Sequence, residues 1–132
     1  MFESGLVIVA GIFLFGIFIL WLYSRRKVYL SKPQFIKYRS QIQATKSMPP
    51  SYAVLESHKI FVKALSSITS KRLLKAATVI KRYEKRIGSC KRIWYYHRLR
   101  NRVAHEVGVK VTKDQAEKAR KEFIWGLKNL TK

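Results

Sequence analysis

The chain has 132 residues, with 28 Lys and Arg against 7 Asp and Glu, three histidines and one cysteine, Cys90. That length holds one modest domain rather than two, and a lone cysteine excludes an internal disulfide. A formal charge of +21 makes the chain self-repelling and directs it to polyanions: RNA, DNA or an anionic membrane surface.

From Leu6 to Tyr23 the sequence LVIVAGIFLFGIFILWLY carries no charge over eighteen residues, just enough helix to cross a hydrocarbon core. Trp21 and Tyr23 stand at its C-terminal edge, where amphipathic rings favour the interface, and Ser24-Arg25-Arg26-Lys27 follows at once. A cleavable signal peptide, the rival reading, has a basic start, a shorter apolar stretch and a small-residue cleavage site. MFES is not basic. The expectation is a retained anchor over 1–23 in the cell membrane, N-terminus outside, with the rest of the chain cytoplasmic. Glu3 is the only charge before the apolar run, so the part after it holds every basic residue against six acids, about +22.

Residues 24–50 read as a basic juxtamembrane linker. Pro33 and Met48-Pro49-Pro50 interrupt any long helix, although the stretch between them has room for a helical turn or two. The seven Lys and Arg of this stretch would lie against anionic headgroups at about 1 kcal/mol each, chiefly through 25–46.

Four stretches of helical periodicity then fill 51–132. In the first, 51–67, Val54, His58, Phe61, Leu65 and Ile68 form one stripe. In the second, 71–87, Leu73, Ala76, Ala77, Ile80 and Ile87 oppose a basic face of Lys71, Lys75, Arg82 and Arg86, and Gly88 is the stop. The third spans 89–104 and ends before Gly108. The fourth opens with Thr112-Lys113-Asp114-Gln115, a capping-box pattern, and its stripe is Ala116, Ala119, Phe123, Leu127 and Leu130. Trp125 falls opposite that stripe, placed to cover a partner, stack on a base or pack on the linker. The fold expected is all-α: one transmembrane helix and a four-helix antiparallel bundle. So small a bundle buries a modest core, and dimerisation would help it.

On a wheel of the third helix, Ile93, Tyr96, Val103 and Ala104 share a face and Arg100 points into it, while Lys91, Arg98 and Arg102 lie opposite. A guanidinium cannot shed its charge to escape burial, so Arg100 needs an anion, a carbonyl or a seam open to water. His105 stands at the helix end, imidazole being the side chain most suited to proton transfer near neutrality, and Asn101 adjoins Arg100. The bland alternatives are an Arg100 bonded to a carboxylate or to helix-end carbonyls, and a His105 set against the helix dipole. His58 and His97 lie on apolar faces and read as core or dimer-seam residues. The histidines and the cysteine make no zinc spacing.

Arg100-Asn101-Arg102-Val103-Ala104-His105 resembles the signature of the HEPN superfamily, an arginine followed four to six residues later by histidine, commonly with a polar residue just after the arginine. The approach through Trp94, His97 and Leu99, and the Thr-capped helix with Ala116 and Ala119 after Gly108, are also similar to small members of that superfamily. The resemblance covers about 51–130. It implies a bundle that dimerises and brings two motifs together in a basic cleft, and many members are metal-independent ribonucleases that need no cofactor. By that resemblance His105 would be general acid or base at the ribose 2′-hydroxyl or leaving oxygen, Arg100 would hold the scissile phosphate, and Asn101 would orient the pair. Arg98, Arg102, Lys91, Arg92 and the basic face of the second helix would contact RNA backbone. Val107 stands where antitoxin-paired members often carry a tyrosine, which disfavours a toxin controlled through that residue. Two other functions remain open: a non-catalytic RNA- or nucleotide-binding module, and a membrane-surface or scaffold element.

Overall fold

The computed structural model describes residues 2–24, 28–69 and 74–132. Among them are six α-helices and one 3₁₀ turn, with no strand: α1 (Phe2–Ser24), α2 (Lys32–Ala44), the turn Thr45–Ser47, α3 (Pro50–Ser67), α4 (Ala76–Ile87), α5 (Cys90–His105) and α6 (Lys113–Asn129). The chain is all-helical.

α1 is 23 residues long, about 35 Å at 1.5 Å per residue, and none of its apolar window is buried. Its length and composition suffice to cross a membrane, and a signal sequence near an N-terminus has the same properties.

From residue 28 on, the segment expected to be a linker is instead packed into the folded body, while 25–27 lie outside the described residues. The hydroxyl of Ser31 accepts from the Gln34 amide at 3.4 Å, and the Gln34 side-chain oxygen accepts from the Ser31 amide at 3.1 Å, closing a capping box. Pro33 falls within the first turn, where its missing N–H is no loss. α2 then buries Tyr38 and Ile42 against α3 and α6. The strand-like approach to α2 is also fixed: Leu30, 1% exposed, donates its amide to the Leu130 carbonyl at 2.8 Å and accepts from the Lys132 amide at 3.4 Å.

α3 runs through the middle and touches α2, α4, α5 and α6. Its stripe of Val54, His58, Phe61, Leu65 and Ile68 is buried throughout. Phe61 stacks on Phe123 of α6 with centroids 4.9 Å apart, and Gly126 beside them is required by closeness. A Cβ there would stand 3.0 Å from Ile87 Cγ2 and 3.3 Å from Phe61 Cε2.

α4 starts later than the periodicity suggested, with Lys75 at its N-cap. Lys71 and Leu73 lie outside the described residues. The buried face is Val79, Ile80, Tyr83 and Ile87, while Ala77, expected inside, is exposed. Ala77 is about 200° from Val79 on the wheel, so the bulkier side chains set the face. α4 ends at Gly88, whose φ of 86° and ψ of −57° match a γ-turn that side chains avoid. The Asn129 amide donates to the Ile87 carbonyl at 2.6 Å and closes that corner. α6 begins as the sequence indicates, with the Thr112–Gln115 capping box in place.

Candidate functional site

α5 presents two faces of different character. Inward, Ile93, Tyr96, His97 and Leu99 are buried, and Arg100, Asn101 and Val103 are half-buried at its margin. Outward, Lys91, Arg98 and Arg102 are exposed, as the wheel indicated. Ala104, expected on the apolar face, is exposed together with His105, because the helix runs past the body after Val103.

The inward margin carries a continuous polar chain through the core. Arg100 Nη1 donates to Asn101 Oδ1 at 3.1 Å, Asn101 Nδ2 lies 3.2 Å from His97 Nε2, and His97 Nδ1 lies 2.9 Å from His58 Nε2. Its direction follows from chemistry. A guanidinium can only donate, so the Asn101 oxygen must face Arg100 and its NH₂ must face His97. His97 Nε2 therefore accepts, which leaves its proton on Nδ1 for donation to His58 Nε2. Both rings are neutral in this arrangement. His58 is pushed down to about 3, by burial first and then by His97 and the Arg100 charge; His97 is lowered by burial and then by Arg100 and Arg98. Trp94 and Phe123 wall the pair edge-on, at 5.4 Å from His97 and 5.8 Å from His58. The two histidines are thus core residues that face each other across α3 and α5.

Arg100 keeps one donor unfilled. Its Nε is buried with no hydrogen-bond partner, and none of the five ion pairs among the described residues involves this residue. Leaving such a donor unmet costs about 1–3 kcal/mol, more for a charged group. His105 is exposed at the end of α5, five residues beyond Arg100. Five residues advance an α-helix by about 7.5 Å and about 140°, which directs the two side chains to different sides.

The other cations divide into committed and free. Arg86 donates to the Val28 carbonyl at 2.8 Å and lies over the Tyr29 ring at 4.7 Å, so it fastens the segment ahead of α2. Arg92 forms a 2.8 Å ion pair with Glu122, whose other oxygen accepts from the Ser89 hydroxyl at 2.8 Å. Arg102 reaches Glu106 at 3.5 Å on the surface. Lys75, Arg82, Lys91 and Arg98 are exposed. Every acid of the body is already engaged: Glu56, Glu106, Asp114, Glu117 and Glu122 in ion pairs, and Glu84 with the Trp94 indole at 3.1 Å. The positive surplus therefore faces outward without internal compensation.

Sequence reasoning overlooked Tyr95. It is 47% exposed and lines a shallow depression with Leu99 and with Arg98 and Arg102, which stand one and two turns further along α5. The spacing i, i+3, i+7 on the wheel was the available signal. Among the described residues no three His, Cys, Asp or Glu side chains gather as a metal site. In comparisons with protein families, curated proteins and solved structures, the chain matches none.

Proposed function

We propose that this chain is a membrane-tethered, HEPN-like RNA-binding protein. Its body is read as a helical bundle of that type that pairs with a second copy along the α5 end. Arg100, Asn101 and His105 form a metal-independent endoribonuclease centre at the seam between the copies, α1 spans the cell membrane, and the body lies on the cytoplasmic side. The observation that carries the reading is Arg100: a half-buried guanidinium with an unfilled Nε, no carboxylate partner, and an Asn101 amide locked toward it by the two histidines. A group so held is short of an anion, and the motif supplies the expectation that the anion is a scissile phosphate. The exposed Tyr95 beside Arg98 and Arg102 supports RNA in particular, since a base can stack there while the guanidinium groups take neighbouring phosphates. In this reading His105 transfers the proton at the 2′-hydroxyl or the leaving oxygen, and the surplus cations of α4 and α5 steer the backbone.

Cleavage of single-stranded RNA by the full chain in proteoliposomes, with chelator present, tests the proposal. Arg100→Ala and His105→Ala are each expected to lower the rate by about 10²–10⁴-fold while RNA affinity changes little. Variants that cut as fast as the parent would remove the assignment. A non-catalytic RNA-binding module is the second reading, favoured by the separation of Arg100 and His105 around one helix. It predicts salt-sensitive binding with no cleavage by the parent.

A further inference from the structure

α2 and α6 lie antiparallel and leave a groove along their seam. Its widest part, about 410 Å³, is floored by Phe35, Ile124 and Trp125 and edged by Arg39, Lys121 and Lys128. It continues past Gln43 and Lys46 toward Pro50 and Lys113. Because Phe35 stands opposite Lys128 and Pro50 opposite Lys113, the wide end is the one where α2 begins and α6 finishes.

That end is also the one nearest α1. Leu30 is pinned to Leu130 and Lys132 by backbone hydrogen bonds, so the α2 start and the α6 finish share one corner. Five residues lie between Ser24 and Leu30 in the sequence, so the six steps from one to the other span at most about 21 Å when extended. The wide end therefore opens close to wherever α1 leaves the bilayer. Its composition suits such a place: an indole 52% exposed with the Lys128 ammonium 5.6 Å from its ring centre, and Ile36, 63% exposed, on the adjoining turn. Indole rings and long cationic stems over apolar surface are what a headgroup boundary favours. Lys121 is paired with Glu117 at 3.3 Å, which leaves Arg39 and Lys128 as the cations for an anion at the wide end.

We infer that the α2–α6 groove holds an anionic phospholipid of the bilayer that carries α1. The phosphate sits between Arg39 and Lys128, and the first part of the acyl chain lies along Phe35, Ile124 and Trp125. A floor of three large apolar groups suits a chain of methylenes, and a rim of cations selects the charged headgroup over a zwitterionic one. The inference rests on α1 spanning the bilayer, as proposed above.

The test uses the full chain in proteoliposomes containing photoactivatable phosphatidylglycerol or photoactivatable phosphatidylcholine, reactive on the acyl chain, with cross-links mapped by mass spectrometry. The expected result is several-fold stronger labelling of peptides 35–43 and 121–128 by the anionic probe. The double variant Arg39→Gln/Lys128→Gln should bring that labelling down to the zwitterionic level while labelling of α1 and the circular dichroism spectrum stay at parental values. Equal labelling by both probes, or labelling confined to α1, would overturn the inference, as would protection of these peptides by RNA instead. Alkaline washing of the vesicles separates the two claims. A chain stripped off by alkali ends both, whereas a retained chain with no anionic preference ends this one alone.

Discussion

The buried histidine pair gives the body a built-in sensitivity to acid whose size can be worked out. His58 is 2% exposed and neutral, with its pKa pushed from 6.5 to about 3. In the unfolded chain the same ring takes a proton near 6.5, so below that pH the unfolded state binds more protons and stability falls. The contribution is intact above pH 6.5, declines as pH drops, and is exhausted below about 3. For His58 alone the loss is about 2 kcal/mol at pH 5 and about 5 kcal/mol at the limit. His97 adds to it in the same direction. The perturbation is His58→Gln, whose side-chain oxygen still accepts from His97 Nδ1 but does not titrate. Urea unfolding of the full chain in non-ionic micelles, followed by circular dichroism, should show the parental midpoint dropping by about 1 M between pH 8 and pH 5. The variant starts lower but keeps only the part of the slope that His97 carries. An equal slope in variant and parent, or a flat parent, would refute the neutral, directional relay from Arg100 to His58.

Three further outcomes follow from the same structure. Asn101→Leu strips the acceptor from Arg100 Nη1 and the donor from His97 Nε2, and should cost about 1–3 kcal/mol in the same unfolding assay. Gly88→Ala puts a Cβ at positive φ and 2.7 Å from Asn129 Nδ2, so a loss of about 1–2 kcal/mol is expected, read as a lowered melting temperature. If the centre draws on two copies, mixing the inactive Arg100→Ala and His105→Ala chains under exchange should restore about a quarter of parental cleavage, because half the dimers then carry one intact site of two. No recovery despite demonstrated exchange would place both groups in one chain or in no centre at all.

Much of the body was legible in the sequence where apolar periodicity is strong. The α3 stripe and that of α6 are buried residue for residue, and Thr112 and Gln115 cap α6 as their spacing requires. α2 was not legible. It contributes only Tyr38 and Ile42 to the core, so its period is faint beneath the basic residues, and Pro33 signals a break although it occupies a first turn. The wheel of α5 separated Arg98 and Arg102 from Arg100 correctly but overextended the apolar face to Ala104. Periodicity assigns a face to each helix and says nothing of which faces meet. The contact of His58 with His97, 39 residues apart, is therefore visible only after folding. The unfilled Arg100 Nε belongs to the same class, since an unmet donor is a property of neighbours rather than of spacing.

The pairing of Leu30 with Leu130 and Lys132 also bears on the order of events during synthesis. Leu30 leaves the ribosome roughly a hundred residues ahead of its backbone partners, an interval of about 5–20 s at ordinary elongation rates. Through that interval the Leu30 backbone lacks these partners, and Tyr38 and Ile42 have α3 beside them but not yet α6. Translation halted short of Leu130 would leave Leu30 without its backbone partners and the inner face of α2 without part of its cover.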